Sequence, residues 1–261
     1  MSDILESILV TKRSELAELT PQHRTEILAA AEQSAPTRGF RNALVRSPGD
    51  RIRVIAEIKR ASPSAGPIRA GADPAAIARE YAAAGASAIS VLTDQKYFDG
   101  HLRFLGLVRQ AVSLPLLRKD FVIDPIQVAQ ARHAGADAVL LIVAAFPRGS
   151  AGLTDCLAMA QRVGLDALVE VHDEAEFAIA AAAGATLIGV NHRNLRTFSI
   201  DMSLTERIAK LCGPHTVLVA ESGIRTRDDV QRMADAGAHA ILVGEQLMRS
   251  PSPGAALTEL K

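Results

Sequence analysis

In AEIKR, Glu57 and Lys59 stand two residues apart at the end of an apolar run, so an extended backbone would present a carboxylate and an ammonium on one face. The pattern recurs along the chain. Lys119 and Asp120 close PLLRKD, Glu170 closes ALVEV with His172 two residues on, Asn191 and Arg193 follow TLIGV, and Glu221 closes TVLVAE. A lysine has a reference pKa of about 10.4, so it is charged at neutral pH and can protonate a carbonyl that is gaining negative charge. A carboxylate can remove a proton, and a working base is expected to be desolvated so that its pKa climbs from about 4.3 toward neutrality. Glu170, between apolar neighbours, could be so placed. Each charge taken singly reads equally well as surface decoration or as part of an ion pair plugging a strand end. Together they suggest one acid–base site, with Asp120 the exception, since it alternates away from Lys119 and is expected to pair outside.

Such residues need a scaffold that brings strand ends together. Eight short β-rich runs alternate with Ala-rich helical stretches: RVIAEIK from 53, AISVL from 88, PLLRKD from 115, AVLLIV from 138, ALVEV from 167, TLIGV from 186, TVLVAE from 216 and AILVG from 240. Several are apolar with little alternation, as in parallel strands covered by helices. Gly85-Ala86, Gly135-Ala136, Gly184-Ala185 and Gly237-Ala238 recur at intervals of 50, 49 and 53 residues, each ending a helix before an even-numbered strand. Glycine suits the left-handed backbone at helix C-termini, so these positions need no functional reading. Two strand–helix units per interval predict an α/β fold of the (β/α)₈ TIM-barrel type, whose chemistry lies at the C-terminal ends of its strands. An open doubly wound sheet is the alternative, but GxGxxG is absent after the first strand.

Ahead of the barrel, Asp3 and Glu6 have capping-box spacing before a helical stripe of Ile4, Leu5, Ile8, Leu9, Leu16 and Leu19. A second helix is predicted over 22–33 after Pro21, and Pro36, Gly39, Pro48 and Gly49 punctuate a connecting segment. Residues 1–50 therefore read as an N-terminal helical extension packed on one domain spanning 1–261.

Twenty-nine basic residues balance twenty-nine acidic ones, so no overall field favours nucleic acid or an anionic membrane. The longest apolar run, AVLLIVAAF at 138–146, is well short of the roughly 20 residues of a spanning helix. The N-terminus carries Asp3, Glu6, Glu15 and Glu18 in place of a basic region and an apolar stretch, so a cytoplasmic location is expected. Cys156 and Cys212 have neither CxxC spacing nor a histidine partner and read as reduced structural thiols, with no metal site.

An anionic ligand must then be captured locally. Glu221-Ser222-Gly223 and Gly244-Glu245 follow the seventh and eighth strands, where barrels commonly bind phosphate, and glycine lets backbone N–H groups approach its oxygens. The same glycines could simply turn the chain tightly. Phe121, on the face of Lys119, is either an apolar wall for a substrate ring or ordinary core. His172 and His192 are expected to be satisfied rim histidines, and His23, His101, His133, His215 and His239 surface positions.

AEIKRASPSAGPI at 56–68 resembles the signature segment of the indole-3-glycerol-phosphate synthases of tryptophan biosynthesis, with Glu57, Lys59, Ser62, Pro63 and Ser64 in the required places. LRKDFVID at 117–124, LVEVH at 168–172, GVNHRNLRTF at 189–198, AESGI at 220–224 and VGEQLM at 243–248 resemble further family segments in the same order. The resemblance implies a lyase that cyclises 1-(2-carboxyphenylamino)-1-deoxyribulose 5-phosphate, with loss of carbon dioxide and water, without cofactor or metal. It implies Lys119 as the general acid at the ketone, Glu170 as the base of the dehydration, Lys59 as a contact to the anionic substrate, Glu57 as the group orienting the amines and Asn191 as a partner of the hydroxyls. Arg193, Ser222, Gly223, Gly244 and the backbone N–H of Glu245 would surround the phosphate, with Ser62, Phe121 and Glu221 also at the substrate. Two positions depart from many relatives: Ala65, where a basic residue is common, and Glu245, whose side chain must turn away from a phosphate.

Three other readings remain at this stage. A phosphoribosylanthranilate isomerase would need a cysteine and an aspartate at strand ends, a Schiff-base aldolase a nucleophilic lysine, and a sugar-phosphate sensor no acid and base at all. The expected partner is a phosphorylated small molecule, bound by a monomer.

Overall fold

The computed structural model describes residues 4–47, 49–146, 150–194 and 199–261. Asp3 of the expected capping pair, Pro48 and the last four residues of GVNHRNLRTF but for their flanks, 195–198, lie outside the described residues. Eight parallel strands close a barrel: β1 (Arg53–Ile58), β2 (Ala88–Leu92), β3 (Leu116–Lys119), β4 (Ala138–Ile142), β5 (Asp166–Val171), β6 (Leu187–Asn191), β7 (Val217–Glu221) and β8 (Ala240–Val243). Each pairs with its sequence neighbours, and β8 returns to β1 with Arg53 opposite Ala240. All eight predicted strands are present.

Their weak alternation has a simple cause: both faces are buried. Ile55, Leu117, Leu140, Leu168, Leu187, Val219 and Leu242 point inward and fill the barrel, while Val54, Val91, Leu116, Leu141, Val169, Ile188 and Leu218 pack outward against helices. Beyond the bottom rim at Arg53 and Asp166, the inward rows turn polar toward the C-terminal ends, at Glu57, Ser90, Lys119, Glu170, Asn191 and Glu221. The predicted glycines adopt φ +77° at Gly85, +96° at Gly135, +86° at Gly184 and +94° at Gly237, which a side chain would strain.

Three helices precede the barrel: α1 (Ile4–Ala17), α2 (Pro21–Glu32) and α3 (Phe40–Leu44). Phe40 and Leu44 of α3 are fully buried against the inward layer, among Ala88, Ala138, Leu187 and Ala240 at the N-terminal ends of strands, and so plug the bottom. Around the barrel run α4 (Pro74–Ala83), α5 (Gln95–Phe98), α6 (Arg103–Ala111), α7 (Pro125–His133), α8 (Ser150–Val163), α9 (Glu174–Ala182), α10 (Leu204–Ala209), α11 (Arg227–Asp235), α12 (Glu245–Arg249) and α13 (Pro253–Leu260). Helix starts are chemically marked: Asp124 and Thr226 form capping boxes with Gln127 and Asp229, and Asp73 caps α4 ahead of Pro74. Among the described residues no helix is long and apolar enough to cross a membrane.

The extension is pinned near the mouth by a buried charge cluster. Lys12 of α1 reaches Asp94 at 2.8 Å and Asp120 at 3.0 Å, and Asp120 also accepts from Thr93 at 2.6 Å and Arg118 at 2.9 Å. Asp120 thus pairs outside the mouth, as its alternation from Lys119 predicts. Burial opposes its ionisation, but Arg118 and Lys12 outweigh that and hold the carboxyl far below its usual range.

Candidate active site

Register places the polar groups side by side. Glu57 of β1 lies opposite Ser90 of β2, whose hydroxyl donates to Glu57 Oε2 at 3.4 Å, and Lys59 just beyond the strand sets Nζ 2.9 Å from Glu57 Oε1. On the other side of the barrel, Lys119 Nζ stands 3.3 Å from Glu170 Oε2 and 3.7 Å from Glu221 Oε2. Asn191 is opposite Glu221 in the β6–β7 register and donates Nδ2 to Glu170 Oε1 at 3.0 Å. Its Oδ1 accepts from Ser222 Oγ at 2.8 Å and from the Arg193 N–H at 3.1 Å.

These groups set one another's charge. Burial alone would neutralise Lys119, but Glu170, Glu221 and Glu57 hold it firmly as an ammonium. Burial also works against ionised Glu57, and Lys59 and Lys119 overcome it, leaving that carboxyl below its usual value. Glu170 is desolvated as expected, yet Lys119, His172 and Asn191 hold its pKa well below the carboxylate range. The carboxylate pushed up, to about 8, is Glu221, by burial and then by the charge of Glu170. The expectation that desolvation raises Glu170 is therefore overturned: donors reach both its oxygens, whereas the buried Glu221 Oε1 has no hydrogen-bond partner among the described residues.

Room for Glu221 comes from an absence on the neighbouring strand. A Cβ on Gly189 of β6 would collide with Glu221 Oε1, the far end of that side chain, so any larger residue there must displace the carboxylate. Gly244 is similar: a Cβ there would lie 2.5 Å from Glu57 Oε1 and 2.9 Å from Glu57 Cβ. Its smallness lets the chain pass over Glu57, a requirement separate from any approach to phosphate. Ser222 and Gly223 turn sharply at φ +69° and +81°, and the Glu245 carboxylate points to Arg249 at 3.0 Å.

Above this floor opens a cavity of about 440 Å³. All thirteen predicted site residues line it, from Glu57, Lys59 and Ser62 through Lys119, Phe121, Glu170, Asn191 and Arg193 to Glu221, Ser222, Gly223, Gly244 and Glu245. Ser62 is buried and accepts from the Ala65 N–H at 3.2 Å, which braces the loop after β1. Phe121 is half-buried and faces Phe98 of α5, ring centroids 5.9 Å apart. Phe98 and the α1 residues Ile4, Leu5 and Ile8 also line the cavity, and Ser90 and Gly189 stand beneath it against Glu57 and Glu221; the sequence pattern predicts none of these at the site. The serine inside the apolar run AISVL is a usable signal; the α1 stripe signals only packing.

His192 is a satisfied histidine, its ring meeting Thr205 Oγ1 at 2.7 Å and the Ser222 carbonyl at 2.8 Å. His172 departs from that description, half-buried between the carboxylates of Glu170 and Glu176. His101 and His239 are half-buried, the latter ring accepting from the Leu218 N–H at 3.3 Å, while His23, His133 and His215 are exposed. Cys156 is buried in α8 and Cys212 half-buried past α10, and neither lines the cavity.

The family model for indole-3-glycerol phosphate synthase matches residues 5–260. The chain belongs to that family. The indole-3-glycerol phosphate synthase of Rhodospirillum rubrum is 49% identical over 263 residues, covering 100% of this chain and 99% of its own. That of Desulfotalea psychrophila is 48% identical over 261 residues, with 100% and 99% covered. Among solved structures, 3-hexulose-6-phosphate synthase superposes with a TM-score of 0.62 at 15% identity, over 80% of this chain and 98% of that one, a likeness of fold alone.

Proposed function

We infer that the protein is a carboxy-lyase, closing the indole ring of 1-(2-carboxyphenylamino)-1-deoxyribulose 5-phosphate to give indole-3-glycerol phosphate, carbon dioxide and water. The observation that carries the mechanism is the ammonium of Lys119 standing 3.3 Å from Glu170 within a cavity rimmed by Arg193, Ser222 and Gly223.

Ring closure joins the carboxyl-bearing aryl carbon to the ketone carbon. The ketone oxygen takes a proton from Lys119 as that bond forms, carbon dioxide leaves with its bonding electrons returned to the ring, and dehydration follows. In dehydration Glu170 takes a proton from the methylene next to the ring nitrogen, and the hydroxyl leaves as water with a proton drawn from solvent. Its low pKa in the free protein suits this order: Lys119 is the strongest influence holding Glu170 ionised, so once Lys119 gives up its proton the carboxylate becomes more basic. The proton that Glu170 gains can return across 3.3 Å to the Lys119 amine. Lys59, held by Glu57, meets the substrate's negative charge, Asn191 meets its hydroxyls, and Phe121 with Phe98 offers apolar surface to the anthranilate ring. Arg193 and the backbone at Ser222–Gly223 and Gly244–Glu245 receive the phosphate, with the Glu245 side chain drawn aside by Arg249.

The alternatives fit the site less well. Neither cysteine reaches the cavity, against the isomerase. A Schiff-base lysine must be a neutral amine, whereas the neighbouring carboxylates, Glu170 foremost, keep Lys119 charged. A sensor has no use for the acid–base pair. Purified protein incubated with the carboxyphenylamino substrate should generate indole-3-glycerol phosphate fluorescence; no product at high protein concentration would overturn the assignment. The chain is read as one domain acting as a cytoplasmic monomer, and sedimentation at a mass above the 27.6 kDa chain would correct the last point.

A further inference from the structure

Beside Glu170, and not among the residues that line the cavity, lies a group that the reaction above does not use. His172 follows β5 by one residue and shares the face of Glu170. Its ring Nε2 is 3.3 Å from Glu170 Oε1, and its Nδ1 is 3.0 Å from Glu176 Oε2 in the first turn of α9. The same Glu176 oxygen accepts the His172 backbone N–H at 2.8 Å, and the Glu176 N–H is itself fixed by the Asp173 carboxylate at 2.8 Å. Backbone and ring of His172 are thereby tied to one helix terminus, which leaves Nε2 aimed at the carboxylate. That nitrogen is buried and makes no hydrogen bond among the described residues, so its 3.3 Å contact with Glu170 is an ion pair.

We propose that His172 and Glu176 are a positioning pair for Glu170, a carboxylate–imidazole–carboxylate chain that holds the general base in place while Lys119 is engaged with substrate. The division of Glu170's oxygens supports this. Oε2 faces Lys119, whereas Oε1 faces Asn191 at 3.0 Å and His172 at 3.3 Å, so drawing the lysine toward a ketone leaves the other oxygen still held. Burial would discharge the ring, but its contacts with Glu170 and Glu176 hold its pKa up at about 10. The charged groups acting on it are Glu170 on its own strand, Glu176 on α9 and Glu221 on β7, with Lys119 of β3 beyond Glu170. An imidazolium there keeps Glu170 ionised and ready to accept a proton. Since this rests on Glu170 being the base, the test needs one arm independent of turnover.

That arm is the histidine spectrum of ¹⁵N-labelled protein. In the wild type the His172 ring should be doubly protonated at pH 8, and in Glu170→Gln its pKa should fall by a unit or more; a neutral ring at pH 8 would overturn the proposal whatever Glu170 does. The kinetic arm is His172→Asn, expected to lower kcat about tenfold or more with KM within a few-fold, and to move the acidic limb of the pH–rate profile upward because Glu170 loses a neighbouring cation. Glu176→Gln should do the same to a smaller extent, and it carries the kinetic arm if the asparagine variant does not fold. A pair that merely staples α9 would lower Tm with kcat and the limb unmoved, and that outcome also overturns the proposal. Wild-type turnover in Glu170→Gln would remove the base assignment and the proposal with it, whereas a neutral His172 ring at pH 8 in a protein whose Glu170→Gln variant has lost turnover would overturn the proposal and leave the base assignment standing.

Discussion

Gly189→Ala tests whether this glycine exists to make room for the Glu221 carboxylate. The added methyl would overlap Glu221 Oε1, with the Leu168 side chain another 3.4 Å contact, so the strand cannot accept it without displacing something. Overpacking a buried site of this kind costs about 1–3 kcal/mol. For a domain of this size each kcal/mol lowers Tm by roughly 2–4 °C, which gives a fall of about 2–12 °C by calorimetry. Moving Glu221 also disturbs its 3.7 Å contact with Lys119, so kcat should drop in the same variant. Pairing the change with Glu221→Asp, which shortens the side chain by one methylene, should recover part of the lost Tm, a coupling of about 0.5–3 kcal/mol in a double-mutant cycle. If the two changes add to within about 0.5 kcal/mol, the methyl is not meeting Glu221. Unchanged Tm and kcat in Gly189→Ala would refute the whole argument.

Lys119→Ala should lower kcat by about 10²-fold or more with little loss of substrate binding, and near-normal turnover would remove Lys119 as the acid. Glu170→Gln preserves size without basicity, so steady-state kinetics should show a sharp fall in turnover, a modest change in KM and loss of the acidic limb; retention of that limb would place the base at Glu57 or Glu221. Glu221 bears on stability. Its folded pKa of about 8 lies above the ordinary 4.5, so between those values the folded protein keeps a proton that the unfolded chain has released. Stability attributable to this group should therefore be lost as pH rises across that window. Glu221→Gln should flatten the fall in urea midpoint from pH 5 to pH 8, and an equally steep fall in the variant would contradict the assigned protonation. Asp120 has the opposite sign: its depressed pKa contributes stability that is present above the ordinary carboxylate range and lost in acid, so Asp120→Asn should reduce the difference in Tm between pH 6 and pH 3.

The barrel was legible in the sequence because each strand is a short apolar run, the four odd-numbered ones ending in charge, and each pair of units is punctuated by a glycine that must leave the helix with positive φ. Those are local properties. So was the membership of the site, since a polar residue such as Glu57 or Lys119 at the C-terminal end of an otherwise apolar strand has few places to go except the mouth. The charge states were not local. Glu170 and Glu221 end near-identical apolar strands, and nothing in LVEV or LVAE tells one from the other. Glu170 is held ionised because Lys119, Asn191 and His172 converge on it from other strands and from its own, while Glu221 is left with one distant lysine and the field of its neighbour. In the same way, Lys12 could be placed on a helix by periodicity, but only packing buries it between Asp94 and Asp120 and brings Ile4, Leu5 and Ile8 over the cavity. Backbone propensity and hydrophobic period act over a few residues and are written along the chain. Electrostatic balance and steric room depend on which side chains face each other across the barrel, and closure of the sheet alone decides that.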